Sequence, residues 1–173
     1  MSYDSIGGSM KKILFSLYEN ARKHIMDIAK EVGLDRTTVS KTIKKLEEDD
    51  IIWGYKPTVD ARKLDLNTFL ILMKFRLDAK PKNICNKILA NTGKNHYENK
   101  IIWIDSGYLF GDWDVYMKFL AKDMNTAHKY MISISQGDPG LFKDIILLCE
   151  LFPIRICGEV NPNLKQDVEN ILI

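Results

Sequence analysis

Between residues 36 and 45 the chain sets Arg36, Thr37, Thr38, Ser40, Lys41, Lys44 and Lys45 close together, with no acidic residue among them. Guanidinium, ammonium and hydroxyl groups in such a run offer donors to two kinds of acceptor, phosphate oxygens and base edges. Arg36 and Lys41 suit guanine edges. Thr37, Thr38 and Ser40 suit bases or phosphates, while Lys44 and Lys45 suit phosphates. Lys56, further on, is another candidate for backbone contact. The plain alternative is a solvated basic helix face, so the case rests on the elements that carry these groups.

Those elements lie between Ile25 and Leu46. Ile28, Ala29 and Val32 recur on one helix face. Gly33 supplies the left-handed conformation of a tight inter-helix turn, with Leu34 tucked beneath it. Asp35 is placed to cap a second helix by accepting its free N–H groups. In that helix Val39, Ile43 and Leu46 fall at i, i+4 and i+7 and face inward. This is the pattern of a helix-turn-helix whose second helix enters the major groove of DNA. Upstream, Met10, Ile13, Leu14, Leu17 and Tyr18 mark an amphipathic helix ending near Glu19 and Asn20, which completes a trihelical unit. Downstream, IIWGYKPTV (51–59) reads as the strand or wing that follows a recognition helix.

The whole chain sets limits. Its 173 residues hold one large or two small domains, and a net charge of +2 leaves nucleic-acid contact to local clustering. Glu47, Glu48, Asp49 and Asp50 follow the basic run at once and should lie away from phosphates. Cys85, Cys149 and Cys157 are odd in number and form no CxxC pair, and His24, His96 and His128 are scattered. Neither a disulfide framework nor a metal site is expected, nor any cofactor. No apolar run reaches the roughly 18 residues of a membrane span, and no secretory signal opens the chain, so a soluble cytoplasmic protein is expected.

Beyond the wing the pattern changes. FLILMKFRL (69–77) is a strand and PKNICNKILANTG (81–93) a helix with Ile84, Cys85, Ile88 and Leu89 on one face. IIWIDSGYLF (101–110) and WDVYMKFLA (113–121) are two strands joined by a Gly111-Asp112 turn. Asp123 and Asn125 offer caps for a helix through Ala127, Tyr130, Met131 and Ile134. A turn at Gly137-Asp138-Pro139-Gly140 leads to KDIILLCELF (143–152), a fourth strand that continues through IRICGEV. The expected fold is α+β, a winged helix-turn-helix followed by a βαββαβ ferredoxin-like sandwich. The expected domains are an arm at 1–9, the DNA-binding domain at 10–59 and a linker at 60–67. The sandwich follows at 68–160, with a tail at 161–173 adding a short helix through Leu164, Val168 and Ile171.

The first sandwich strand carries bulk on both faces. Phe69, Ile71, Met73 and Phe75 oppose Leu70, Leu72 and Lys74. With both helices on one face, the other needs a cover, and a second copy of the chain supplies one. Dimerisation through the sheet is therefore expected.

DIAKEVGLDRTTVSKTIKKLEEDDII, the Gly54-Tyr55 that follows, and GDWD (111–114) in the second domain resemble, in this order, the Lrp/AsnC (feast/famine) transcription regulators. The resemblance covers about residues 10–160. It implies a dimeric regulator on a palindromic operator, often assembled into octamers, whose second domain binds small effectors, commonly amino acids. By position the effector site carries over to Gly111, Asp112 and Asp114. Two carboxylates at a hairpin tip can hold an ammonium group while backbone N–H groups take a carboxylate, yet the same residues also simply make the turn, and both readings stand. The sequence departs from the family in its SIGGSMKK opening and in an insertion at Lys94–Asn99.

Two other functions share this architecture. Sirohaem decarboxylases resemble Lrp/AsnC proteins but use His and Tyr in the sandwich strands, and here those strands hold Tyr108 and Tyr116 without a His. No phosphate-binding glycine loop or nucleophile elbow is present, so no enzyme is expected. An effector-independent protein that coats DNA would depend on many phosphate contacts, which the near-neutral charge disfavours.

Overall fold

A computed structural model describes residues 7–90, 97–98, 100–137 and 139–172. They form two compact units that meet between Pro57 and Thr58. The first unit packs α1 (Gly8–Glu19), α2 (Ile25–Val32) and α3 (Arg36–Glu48) around Ile13, Leu17, Ile28, Ala29 and Val39. Tyr18, expected inside, is exposed. Ser16 is buried in its place, and its hydroxyl donates to Glu31 at 3.0 Å. Glu31 also pairs with Lys23, so one carboxylate ties α1 and the loop after it to α2. These bonds hold the Glu31 carboxyl below its ordinary range.

Residues 51–60 form no strand. No paired strand follows α3, because the few residues before Pro57 leave no room for a hairpin partner and Pro57 has no N–H to offer a ladder. Asp50, in the left-handed region at φ 55°, closes α3, and the Ile51 and Ile52 N–H groups return to the Leu46 carbonyl.

The second unit begins with a 3-10 helix, Ala61–Leu64, in the stretch expected as linker. It continues through β1 (Asn67–Phe75), α4 (Pro81–Ala90), β2 (Tyr97–Glu98), β3 (Ile101–Tyr108), β4 (Val115–Ala121), α5 (Met124–Gly137) and β5 (Phe142–Cys149). The antiparallel sheet runs β2-β3-β4-β1-β5, the expected βαββαβ arrangement with a two-residue edge strand added. Of the expected insertion at 94–99, only Tyr97 and Glu98 lie within the described residues. Residues 91–93 of the expected first sandwich helix lie outside them, as does Asp138.

Strict alternation in β1 builds the core. Phe69, Ile71, Met73 and Phe75 are buried with Ile101, Met117, Phe119 and Ala121, beneath Ala127 and Tyr130 of α5. The Phe119 ring stacks on Phe69 and meets Tyr130 edge-on, with centroids 5.8 and 5.2 Å apart. The fourth strand does not run on through IRICGEV. Its ladder ends where β1 begins, with Cys149 opposite Phe69 and the Glu150 N–H donating to the Thr68 carbonyl. Cys157 and Gly158, at φ 50° and 89°, make the turn of a separate hairpin of β6 (Arg155–Ile156) and β7 (Glu159–Val160). The tail then forms α6 (Leu164–Leu172), whose Asp167 accepts from Arg62 at 2.8 Å and from Asn161 at 2.7 Å. Arg62 also grips Asp60, so α6 is fastened to the 3-10 helix that opens this unit.

The other face of the sheet carries Leu70, Leu72, Leu120, Ile146 and Leu148, interrupted by two polar pairs. Lys118 meets Glu150 at 2.8 Å, and the Tyr116 hydroxyl donates to Asp105 at 2.8 Å. A register shift between Trp103 and Asp105 sets Gly107 opposite Tyr116, whose ring lies over it. A methyl at Gly107 would stand 2.6 Å from Tyr116 Cε1. Gly107→Ala is therefore expected to destabilise the protein by about 1–3 kcal/mol, measured by urea unfolding. In a Tyr116→Ala background the same change should cost much less.

Candidate nucleic-acid interface

The recognition helix is positioned from both ends. Gly33 takes the left-handed conformation (φ 70°, ψ 36°), and the Leu34 N–H returns to the Ala29 carbonyl at 3.0 Å. Three residues therefore separate α2 from α3. Asp35 caps α3 with both oxygens: Oδ1 accepts the Thr38 N–H at 2.9 Å and Oδ2 the Thr38 hydroxyl at 2.5 Å. Those bonds, the hydroxyl first, lower the Asp35 pKa from its ordinary value. Val39 and Leu46 are fully buried, which fixes the rotation of the helix about its axis.

With that rotation set, Arg36, Thr37, Ser40, Lys41, Lys44 and Lys45 are all exposed. At 100° per residue, Thr37, Lys41 and Lys44 share the ridge opposite Val39 and Leu46. Thr38 is exposed too, but its hydroxyl proton is committed to the cap. Lys44 stands 3.3 Å from Glu48 in a fully solvated pair, which contributes little and leaves the ammonium group open to competition. Lys56 is exposed on the wing, which is tied to α3 by the Tyr55 hydroxyl donating to Glu47 at 3.0 Å. Burial, and then the Glu47 carboxylate, push the Tyr55 phenol up to about 12.

In the second unit, Gly111 and Asp112 are exposed and Asp114 is partly buried. Asp114 is built into the sheet end. Its carboxylate accepts the Phe75 N–H at 2.7 Å, its own N–H donates to the Met73 carbonyl, and its carbonyl accepts from Leu109. The turn reading of Asp114 thus has direct bonds behind it, while Asp112 and Gly111 form the open tip. Tyr108 stacks on Phe75 just beneath this turn, at 6.2 Å between centroids. Sequence reasoning passed over Glu31, Asp105 and Arg62. A lone glycine within strand-forming IIWIDSGYLF was the one signal for the Tyr116 contact.

Residues 9–52 match the family of winged helix-turn-helix DNA-binding domains. An uncharacterised HTH-type transcriptional regulator of Pyrococcus furiosus is 30% identical over 125 residues, 70% of this chain and 77% of the relative. The chain belongs to the Lrp/AsnC family of transcriptional regulators. Solved structures share its fold. An AsnC family regulator from Agrobacterium tumefaciens aligns with a TM-score of 0.67 at 17% identity, over 95% of this chain and 99% of that one. A Neisseria meningitidis transcriptional regulator, solved as an L-Met complex, aligns at 0.66 and 18% identity, over 93% and 99%. Like its family, this Lrp/AsnC protein is a DNA-binding transcriptional regulator. Among the described residues no helix is long and apolar enough to cross a membrane, and no group of three or more His, Cys, Asp and Glu could hold a metal ion.

Asp35→Ala should lower the thermal midpoint of the first unit and weaken DNA binding, because α3 loses the group that orders its first turn. The lowered Asp35 pKa sets the sign of the pH effect. Stability from the cap is complete above the unfolded value, 3.8, and is lost as pH falls through the native value. Thermal melts of wild type and variant should therefore converge under acid.

Proposed function

We propose that this regulator works as a cytoplasmic homodimer that reads a palindromic operator with α3 in the major groove and responds to a small effector such as an amino acid. The observation that carries the DNA half is the locked rotation of α3: Asp35 caps it and Val39 and Leu46 are sealed inside, while its exposed donors share the outer side. In this reading Arg36 and Lys41 take guanine edges, and Thr37 and Ser40 take bases or phosphates. Thr38 orders the first turn and offers its oxygen at the backbone. Lys44, Lys45 and Lys56 contact phosphates.

Charge favours specific readout over DNA coating. Residues 1–57 hold ten Lys and Arg against nine Asp and Glu, too balanced for affinity built on phosphates alone. The homodimer is supported by the uncovered sheet face, whose leucines and isoleucines stand beside polar groups already paired within the chain. Such dimers can assemble further, up to octamers. For the effector, the open tip at Gly111 and Asp112 supports an ammonium contact, with Asp114 holding the turn in shape; the L-Met complex of the Neisseria meningitidis regulator makes an amino acid the first class to test.

A gel-shift on the DNA upstream of the protein's own gene, against a random duplex at two salt concentrations, tests the DNA reading. Arg36→Ala and Lys41→Ala should each lose about 1–3 kcal/mol on the operator and much less on random DNA. Equal losses on both duplexes would reduce these side chains to phosphate contacts. Leu72→Asp should convert the dimer to monomer in analytical ultracentrifugation. Asp112→Asn should abolish any amino-acid response of the gel-shift while leaving effector-free binding unchanged.

A further inference from the structure

Behind the recognition helix, a cleft of about 460 Å³ is lined by Glu47, Asp50, Ile52, Trp53, Gly54 and Tyr55. Trp53 is 92% exposed, which is rare for the largest aromatic side chain. Its indole N–H donates to the Asp50 carbonyl at 2.6 Å, and the Tyr55 hydroxyl donates to Glu47 at 3.0 Å. Both aromatic side chains thus have their polar atoms engaged, and the ring faces are what remain to contact a ligand. Ring faces are electron-rich, and here they adjoin the Glu47 carboxylate, with Asp50 also lining the cleft.

We propose that this cleft docks a lysine- or arginine-bearing segment of a partner protein. A cation placed there meets an aromatic face and a carboxylate together. Charge selects the occupant. Glu47, Glu48, Asp49 and Asp50 follow one another at this end of α3 and repel phosphates, so DNA is a poor fit. An apolar partner would strand these carboxylates, whereas a basic segment satisfies them. Proteins that share DNA with a regulator carry basic surfaces of this kind. The inference goes beyond operator binding and does not depend on it, since none of the residues lining the cleft is among those assigned to DNA.

The test uses the full-length protein and follows the indole N–H resonance of Trp53 by NMR, assigned from Trp53→Phe. The titrants are a blocked peptide with two lysines and an arginine, the same peptide with glutamates instead, spermidine and duplex DNA. Glu47→Gln keeps an acceptor for Tyr55, and Asp50→Asn keeps a residue that tolerates φ 55°. Both variants therefore remove charge without dismantling the wing. The basic peptide should shift the resonance saturably and less at high salt, with affinity falling roughly two- to fivefold in either variant. Trp53→Ala should lose peptide binding, read by calorimetry. The proposal is overturned by an unmoved resonance at millimolar peptide, or by an equal response to the acidic peptide or to spermidine. It fails equally if DNA alone moves the resonance, or if Trp53 in solution is already shielded from a paramagnetic solvent probe by other parts of the protein or a second copy.

Discussion

The carboxylate of Asp35 is the small constraint on which the DNA-facing half of this protein rests. In the proposed reading α3 presents its first turn to a polyanion, and that turn carries no acid of its own. Its free N–H groups still need an acceptor, and the nearest harmless position is one residue before the helix. Asp35 fills that position and draws in both donors of Thr38. The direction of the helix start, and with it the bearing of Arg36, Thr37, Ser40 and Lys41, follows from those two bonds together with the burial of Val39 and Leu46.

Charge is then distributed along α3 according to what each end must meet. Donors fill the start and middle of the outer face, and the acids come after Lys45. This polarity runs against the helix dipole, which favours anions at the N-terminus and cations at the C-terminus. In the proposed reading local helix stability gives way to DNA contact on this element, and the cap and the buried apolar side chains offset the difference. The wing is fastened to the acidic end by Tyr55 and Glu47, leaving an aromatic surface where phosphate is unwelcome.

The sandwich solves a different problem. A sheet with α5 on one face must do something with the other, and this one mixes leucines and isoleucines with polar groups that bond to each other inside the same chain. Lys118 and Glu150 balance each other's charge, and the Asp105 carboxylate has the Tyr116 hydroxyl as a donor, so both have partners within the chain. The same economy of polar groups appears at the hairpin tip, where Asp114 locks the turn to β1 and leaves Asp112 alone at the surface.

Much of this was legible in the order of residues. The two helices around Gly33, the cap at Asp35, the alternation of Phe69, Ile71, Met73 and Phe75, and the hairpin turn are local patterns, set by backbone sterics and by the periods of helix and strand. The exposed donors of α3 could be named for the same reason, since the inward positions Val39, Ile43 and Leu46 fix the rest of the helix. What tertiary structure decided involves residues far apart in sequence or a balance between competing local choices. Arg62 reaches Asp167 only because α6 folds back across the unit, which turned an expected linker into a fastened 3-10 helix. The ring of Tyr116 over Gly107 depends on a one-residue register shift that no periodicity announces. Two local choices were settled against the sequence pattern. A run of β-formers at 51–59 formed no strand, because a strand exists only where a neighbour can take its hydrogen bonds. The last strand stopped at Cys149, where its partner β1 runs out near Asn67.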